Sequence, residues 1–131
     1  MFGSGAFDYI DVLNTAADAK MLRNELLSNN ISNNDTPGYK RKDLEFEVHL
    51  NRAIESAGSE RDSLTKKIRN MDLSEARMMI YADNSDLSYR LDENNVDQSV
   101  EQAELAANQI QYNTLIDSMT HEFSRIKSVL T

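Results

Sequence analysis

The sequence predicts an all-α-dominated fold in which long N- and C-terminal helices pack as an antiparallel-type coiled-coil pair around a short irregular middle that has room for a small β-hairpin. Three observations carry this expectation. Helical apolar periodicity runs without glycine or proline through a long stretch at each end of the 131-residue chain. The single proline, Pro37, stands just past the first of these stretches. Between the two the sequence becomes polar and loses its regular period. The expected division is residues 1–35 for the N-terminal helix, 36–96 for the turn, short helix, loop and hairpin, and 97–131 for the C-terminal helix.

The first stretch spans about Phe7 to Ile31. Val12, Ala16, Ala19, Leu22 and Leu26 recur at intervals of three and four, which places them on one helical face. Ile10, Leu13 and Ala17 form a second stripe, continued by Leu27 and Ile31. A helix of this length reaches about 36 Å. Its end is crowded by Ser28, Asn29, Asn30, Ser32, Asn33, Asn34, Asp35 and Thr36, whose short polar side chains compete for backbone hydrogen bonds. Pro37 cannot continue a helix and turns Thr36 away from helical geometry. Pro37-Gly38 suits the central positions of a type II turn, where glycine supplies the positive φ.

The middle supports two patterns. Leu44, Phe46, Val48 and Leu50 alternate with polar residues as in a strand, while Phe46, Leu50, Ala53, Ile54 and Ala57 fit a short helix ended by Gly58-Ser59. The favoured expectation is an extended stretch to about Glu45 followed by a short helix. Residues 58–70 are charged and aperiodic and are expected to be a loop. Arg77–Tyr81 and Leu87–Leu91 flank Asp83-Asn84-Ser85-Asp86, the pattern of a β-hairpin.

The last stretch begins at Asp97, a good N-cap, with Glu101 near the positive end of the helix dipole. Tyr112, Ile116, Met119, Phe123, Ile126 and Leu130 alternate spacings of four and three and form the expected packing seam. Val100, Ala103, Ala107 and Ile110 extend the apolar surface upstream. Arg125 and Lys127 complement the dipole at the other end. This helix would span about 50 Å. A pair of such helices leaves apolar surface uncovered, which invites helices from other copies.

Composition narrows the chemistry. There is no cysteine, so disulfides, thiolate metal sites and cysteine nucleophiles are excluded. A net charge of −8 argues against a nucleic-acid partner. The mixed run Glu60, Arg61, Asp62, Lys66, Lys67 and Arg69 has the interspersed pattern of solvated chain. No segment approaches the ~20 apolar residues of a membrane span. The N-terminus lacks the basic start and long apolar stretch of a cleaved signal peptide. His49 and His121 are the only histidines. Asp117 and His121 share a helix face, but no third ligand follows at a metal-site spacing, and the pair is read as solvated surface. No phosphate loop, nucleophile elbow or zincin motif is present. No catalytic residue, cofactor site or metal site is therefore expected, and the chain is read as a non-enzyme.

The order of residues at the first helix end is more specific than their composition. Asn29-Asn30-Ile31-Ser32-Asn33-Asn34-Asp35-Thr36-Pro37-Gly38-Tyr39-Lys40 resembles the signature shared by flagellar rod and hook proteins. In that family an amphipathic N-terminal helix ends in Asn-Ile-Ala-Asn-x-x-Thr-Pro-Gly-Tyr. Ser28 and Ser32 stand where the family usually has alanine, a small-for-small exchange. Asp92-Glu93-Asn94-Asn95-Val96-Asp97, followed by Glu101, Asn108 and Tyr112, is similar to the start of the C-terminal helix in the proximal branch of the rod family. Glu93 departs from the glycine common there. The two motifs and the helical arms cover about two-thirds of the chain.

The resemblance implies a structural subunit of the proximal rod of the bacterial flagellar basal body. Such subunits are exported by the type III apparatus without a cleaved signal and self-assemble into the drive-shaft tube in the periplasm. Implied partners are other copies, other rod proteins, the rod–base junction protein, the MS ring and the export gate. Neither nucleic acid nor a small-molecule substrate is implied, and the chain would not itself span a membrane. Asn30, Asn33, Thr36, Pro37, Gly38 and Tyr39 would shape the exit from the first helix. Asn95, Val96 and Asp97 would start the last one, and the seam from Tyr112 to Leu130 would pack within and between subunits. The alternatives are the companion proximal rod subunit and a soluble helical-hairpin adaptor or export chaperone.

Overall fold

The computed structural model describes residues 4–75, 80–82 and 94–131. In chain order the elements are α1 (Ser4–Ser32), β1 (Lys42–Leu44), α2 (Glu47–Ser56), α3 (Leu64–Asn70), a 3-10 turn (Leu73–Glu75), β2 (Ile80–Ala82) and α4 (Gln98–Leu130). The fold is helix-dominated, with α1 and α4 packed along one another. No helix among the described residues is long and apolar enough to cross a membrane.

α1 buries two faces, and this duality organises the fold. Ala19 and Leu26 pack with Leu44 and Phe46, and half-buried Ala16, Leu22, Leu50 and Leu73 close around them. Here the excursion from β1 to the 3-10 turn lies on the helix. Ile10, Leu13, Ala17 and Leu27 are buried on the other stripe. That stripe meets α4, because the Lys20 carbonyl and the Asn30 side chain, which lie along it, are both bonded to α4 residues. Burying a side chain such as Leu27 completely contributes about 2–3 kcal/mol.

α1 stops within the polar run. The Ser32 hydroxyl and the Asn33 amide donate to the carbonyls of Ser28 and Asn29, one turn back. The Thr36 carbonyl then accepts from the Tyr39 N–H at 3.2 Å, and Gly38 has φ +71°, as a type II turn requires. The chain reverses into β1.

The extended stretch and short helix expected after the turn are β1 and α2. The loop expected over 58–70 forms only as far as Ser63. Leu64–Asn70 is helical, capped by the Ser63 hydroxyl on the Lys66 N–H, with Lys67 and Arg69 in the last turn where cations favour the dipole. Aperiodic apolarity hid this element, and its contact with α1 supplies what its own sequence lacks. The described strand pairing joins segments that the sequence pattern does not connect. β2 pairs antiparallel with β1, in the register Lys42↔Ala82, Asp43↔Tyr81 and Leu44↔Ile80. Burial of Leu44 on α1 fixes β1, whose edge pairs with a distant segment. The second expected hairpin arm, Leu87–Leu91, lies outside the described residues.

Candidate functional site, a polar clasp between the terminal helices

The chain has a concentration of buried polar groups where α1 ends and α4 begins. Asn30, Asn94 and Glu101 are fully buried there beside Val96. Buried polar groups of this kind are tolerated only when their hydrogen bonds are made inside the protein.

Asn30 is the hub. Its Oδ1 accepts from the Lys42 N–H at 2.9 Å and from the Tyr39 hydroxyl at 3.0 Å. Its Nδ2 donates to the Lys42 carbonyl at 2.8 Å and to Glu101 Oε2 at 3.1 Å. The side-chain amide therefore pairs with Lys42 as a neighbouring strand would, and ties that pairing to α4. Tyr39 has its phenol shifted above the ordinary value, first by burial and then by the Glu101 carboxylate, with Arg41 opposing.

A chain of charges extends from this hub. Arg41 Nε donates to Glu101 Oε1, and Arg41 Nη2 donates to Asp43 Oδ2 at 3.1 Å. Arg23, from the middle of α1, donates to both Asp43 oxygens at 2.9 and 3.2 Å and to Glu104 at 2.9 Å. Burial alone would raise the Asp43 carboxyl, but bonds from Arg23, the Leu44 N–H and Arg41 hold it below the usual carboxylate value. Arg23 is raised, chiefly by its hydrogen bond to Asp43. Arg41 is raised as well, its bonds to Glu101 and Asp43 outweighing the opposing effect of burial. Lys20 donates to Glu47 at 2.7 Å and draws that carboxyl down.

The other half of the clasp reads the turn. Asn94 Nδ2 lies 2.8, 3.1 and 2.7 Å from the carbonyls of Asn33, Asn34 and Thr36 and donates to them. Its Oδ1 accepts from the Val96 N–H. Asn95 donates its N–H to the Tyr39 carbonyl and accepts from the Arg41 N–H at 2.8 Å. Asp97 then caps α4, accepting from the N–H groups of Ser99 and Val100. Asn33 accepts from the Thr36 hydroxyl, which braces the turn from inside. Pro37 and Gly38 are exposed at its tip.

The sequence-marked residues Asn30, Asn33, Thr36, Tyr39, Asn95, Val96 and Asp97 thus meet in one cluster. Arg23, Arg41, Asp43 and Glu104 belong to the same cluster and had no assigned part in the sequence reading. The signal available for them was the alternation of Arg41 and Asp43 on one side of a strand. Asn94 and Glu101 were visible in the motif, without a partner to explain them.

The seam expected over Tyr112–Leu130 is divided. Tyr112, Met119 and Ile126 are half-buried, in one row with Leu105, Asn108, Leu115 and Glu122. Ile116, Phe123 and Leu130 sit to one side, with Phe123 52% and Leu130 73% exposed. A four-three pattern fits either row, and the spacing of apolar residues selected the one richer in them. The row toward α1 includes polar Asn108 and Glu122.

Other concavities offer little chemistry. A groove of about 470 Å³ is lined by Lys20, Arg23, Asp43, Phe46, Glu47 and Glu104, whose charges are already paired with each other. His121 lines a shallow surface dent with Tyr9, Asp117 and Glu122. Among the described residues no three His, Asp or Glu side chains converge on a metal position.

No protein-family model matches the chain. Individual relatives do. The flagellar basal body rod protein FlgB of Bacillus subtilis (strain 168) is 34% identical over 124 residues, covering 93% of this chain and 92% of the relative. The FlgB of Borrelia hermsii is 29% identical over 92% of this chain and 94% of its own length. That of Escherichia coli (strain K12) is 26% identical over 88% of this chain and 87% of its own. With relatives of nearly the same span matched almost end to end, the chain belongs to the FlgB family of flagellar basal body rod proteins.

Proposed function

We propose that the chain is a non-enzymatic structural subunit of the proximal rod, which self-assembles through the side of its helix pair that the excursion leaves open. Its partners are other copies and other rod proteins, with the rod–base junction protein, the MS ring and the export gate as neighbours at the base. It reaches the periplasmic rod by type III export.

The observation that carries this reading is where apolar surface lies on α4. Ile116, Phe123, Val129 and Leu130 are exposed, while the residues most deeply buried in that helix, Glu101 and Asn108, are polar. A helix that turns apolar side chains outward and polar ones inward is built to be covered by another molecule. Membership in a rod family makes that molecule a rod subunit.

Phe123→Asp tests it. In a strain deleted for the gene, the variant should be produced with parental helicity yet fail to restore motility or to appear in isolated basal bodies. Full motility with Phe123→Asp would remove this face from assembly.

A further inference from the structure

Asn108 sits in the α1–α4 interface one turn beyond Glu104, on the side away from Asn30, and is 1% exposed. Its Nδ2 donates to the Lys20 carbonyl at 2.8 Å, whereas its Oδ1 is buried with no hydrogen-bond partner. The Lys20 carbonyl belongs to the interior of α1 and has a helical donor of its own. A leucine, with the branching of asparagine though a larger volume, would leave no orphaned oxygen, which costs stability when buried. Asn108 therefore has a use other than stability.

The geometry of the pair identifies that use. The inner row of α4 repeats every seven residues, and so does the Ile10, Leu13, Ala17, Leu27 stripe of α1. Heptad surfaces match themselves after a slide of one heptad, about 10 Å along the axis. Such a slide would bring Leu115 into the place of Asn108, Met119 into that of Tyr112 and Ile126 into that of Met119. Apolar residues would again meet apolar ones at these positions, while Glu122 would take the place of Leu115, and α4, at 33 residues against 29 for α1, is long enough to allow it.

We infer that Asn108 is a register-determining residue, a second pin that sets which heptad of α4 faces α1 independently of the clasp. In the native register its amide meets a carbonyl. In the slid register it loses that bond and Arg41 loses the Glu101 carboxylate, so the alternative is disfavoured. This inference concerns the single chain and does not rest on the rod assignment.

Pulsed electron–electron distance measurement on the full chain tests it, with nitroxides on Asp18→Cys and Ala106→Cys, both exposed, in a protein with no cysteine of its own. The parent should give one distance. Asn108→Leu alone should keep that distance, since the clasp holds. Asn94→Ala alone, with Asn108 intact, should also keep it. The double variant should stay helical and show a second, longer distance. Asn108→Ala in place of Asn108→Leu should give the same pattern if leucine proves too tight. A double variant with one distance, or one that loses its helicity, overturns the inference, because Asn108 would then act on nothing or on stability alone. Several distances in the parent overturn it equally.

Discussion

The side-chain amide of Asn30 takes both backbone hydrogen bonds of Lys42, accepting from its N–H at 2.9 Å and donating to its carbonyl at 2.8 Å. One side chain on α1 thus stands in for a β-strand along the free edge of β1. The other edge pairs with β2. Because the same amide also reaches Glu101, the end of one terminal helix, the strand and the beginning of the other helix become one unit.

Asn30→Leu removes this arrangement and leaves the Lys42 backbone, the Tyr39 hydroxyl and the buried Glu101 carboxylate each short of a partner. An unpaired buried polar group costs about 1–3 kcal/mol, so we expect a loss of roughly 3 kcal/mol. Thermal unfolding followed by circular dichroism should place the Tm about 10 °C below the parent's.

Glu101 and Glu104 both accept from arginines, but their side chains are 1% and 45% exposed. Truncating a buried member of an ion pair costs about 3–5 kcal/mol, against about 0–1 kcal/mol for an exposed one. Denaturant titration should therefore rank Glu101→Ala far below Glu104→Ala in stability. Equal values would mean that Arg41 finds a new partner.

Gly38 has φ +71° with nothing within 4 Å of the position a Cβ would take. The cost of Gly38→Ala is therefore conformational rather than steric, about 1 kcal/mol. Gly38→Asn should cost less, because asparagine tolerates the left-handed region. Equilibrium unfolding of the two variants checks the order.

Asp43 and Glu47 both titrate below their ordinary values in the folded chain. A depressed carboxyl contributes stability that is present above its unfolded pKa of about 4 and is lost as pH falls through the folded value. Stability should accordingly hold from neutral pH to about 4 and decline below that. Asp43→Asn should flatten this acid limb while lowering stability at pH 7, as pH-dependent unfolding curves would show.

Much of the architecture is legible in the sequence. The terminal helices follow from heptad-like apolar spacing and the absence of internal breakers. The turn follows from Pro37-Gly38, whose backbone preferences are local. α3 escaped because a seven-residue helix has little periodicity to display, and its cap at Ser63 is a common residue in a charged run. The strand partner escaped because pairing between β1 and β2 joins segments about forty residues apart, and alternation alone does not say with what a strand pairs.

The clasp divides along the same line. Motif order singled out Asn30, the Thr36–Tyr39 turn and Asn95–Asp97. It could not show that Asn94 reads the carbonyls of that turn, or that Arg23 reaches Asp43 and Glu104 from the middle of α1. Those partnerships exist only once β1 lies on α1 and α4 runs antiparallel to it.

The sequence by itself determined the two helices, the turn between helix and strand, and the need for partners, because each depends on spacing or on backbone preferences a few residues long. The tertiary structure alone decided which row of α4 faces inward. Several rows satisfy a heptad. The one chosen contains Glu101 and Asn108 because their hydrogen bonds reach α1 only in that rotation, and this choice leaves Ile116, Phe123 and Leu130 facing outward.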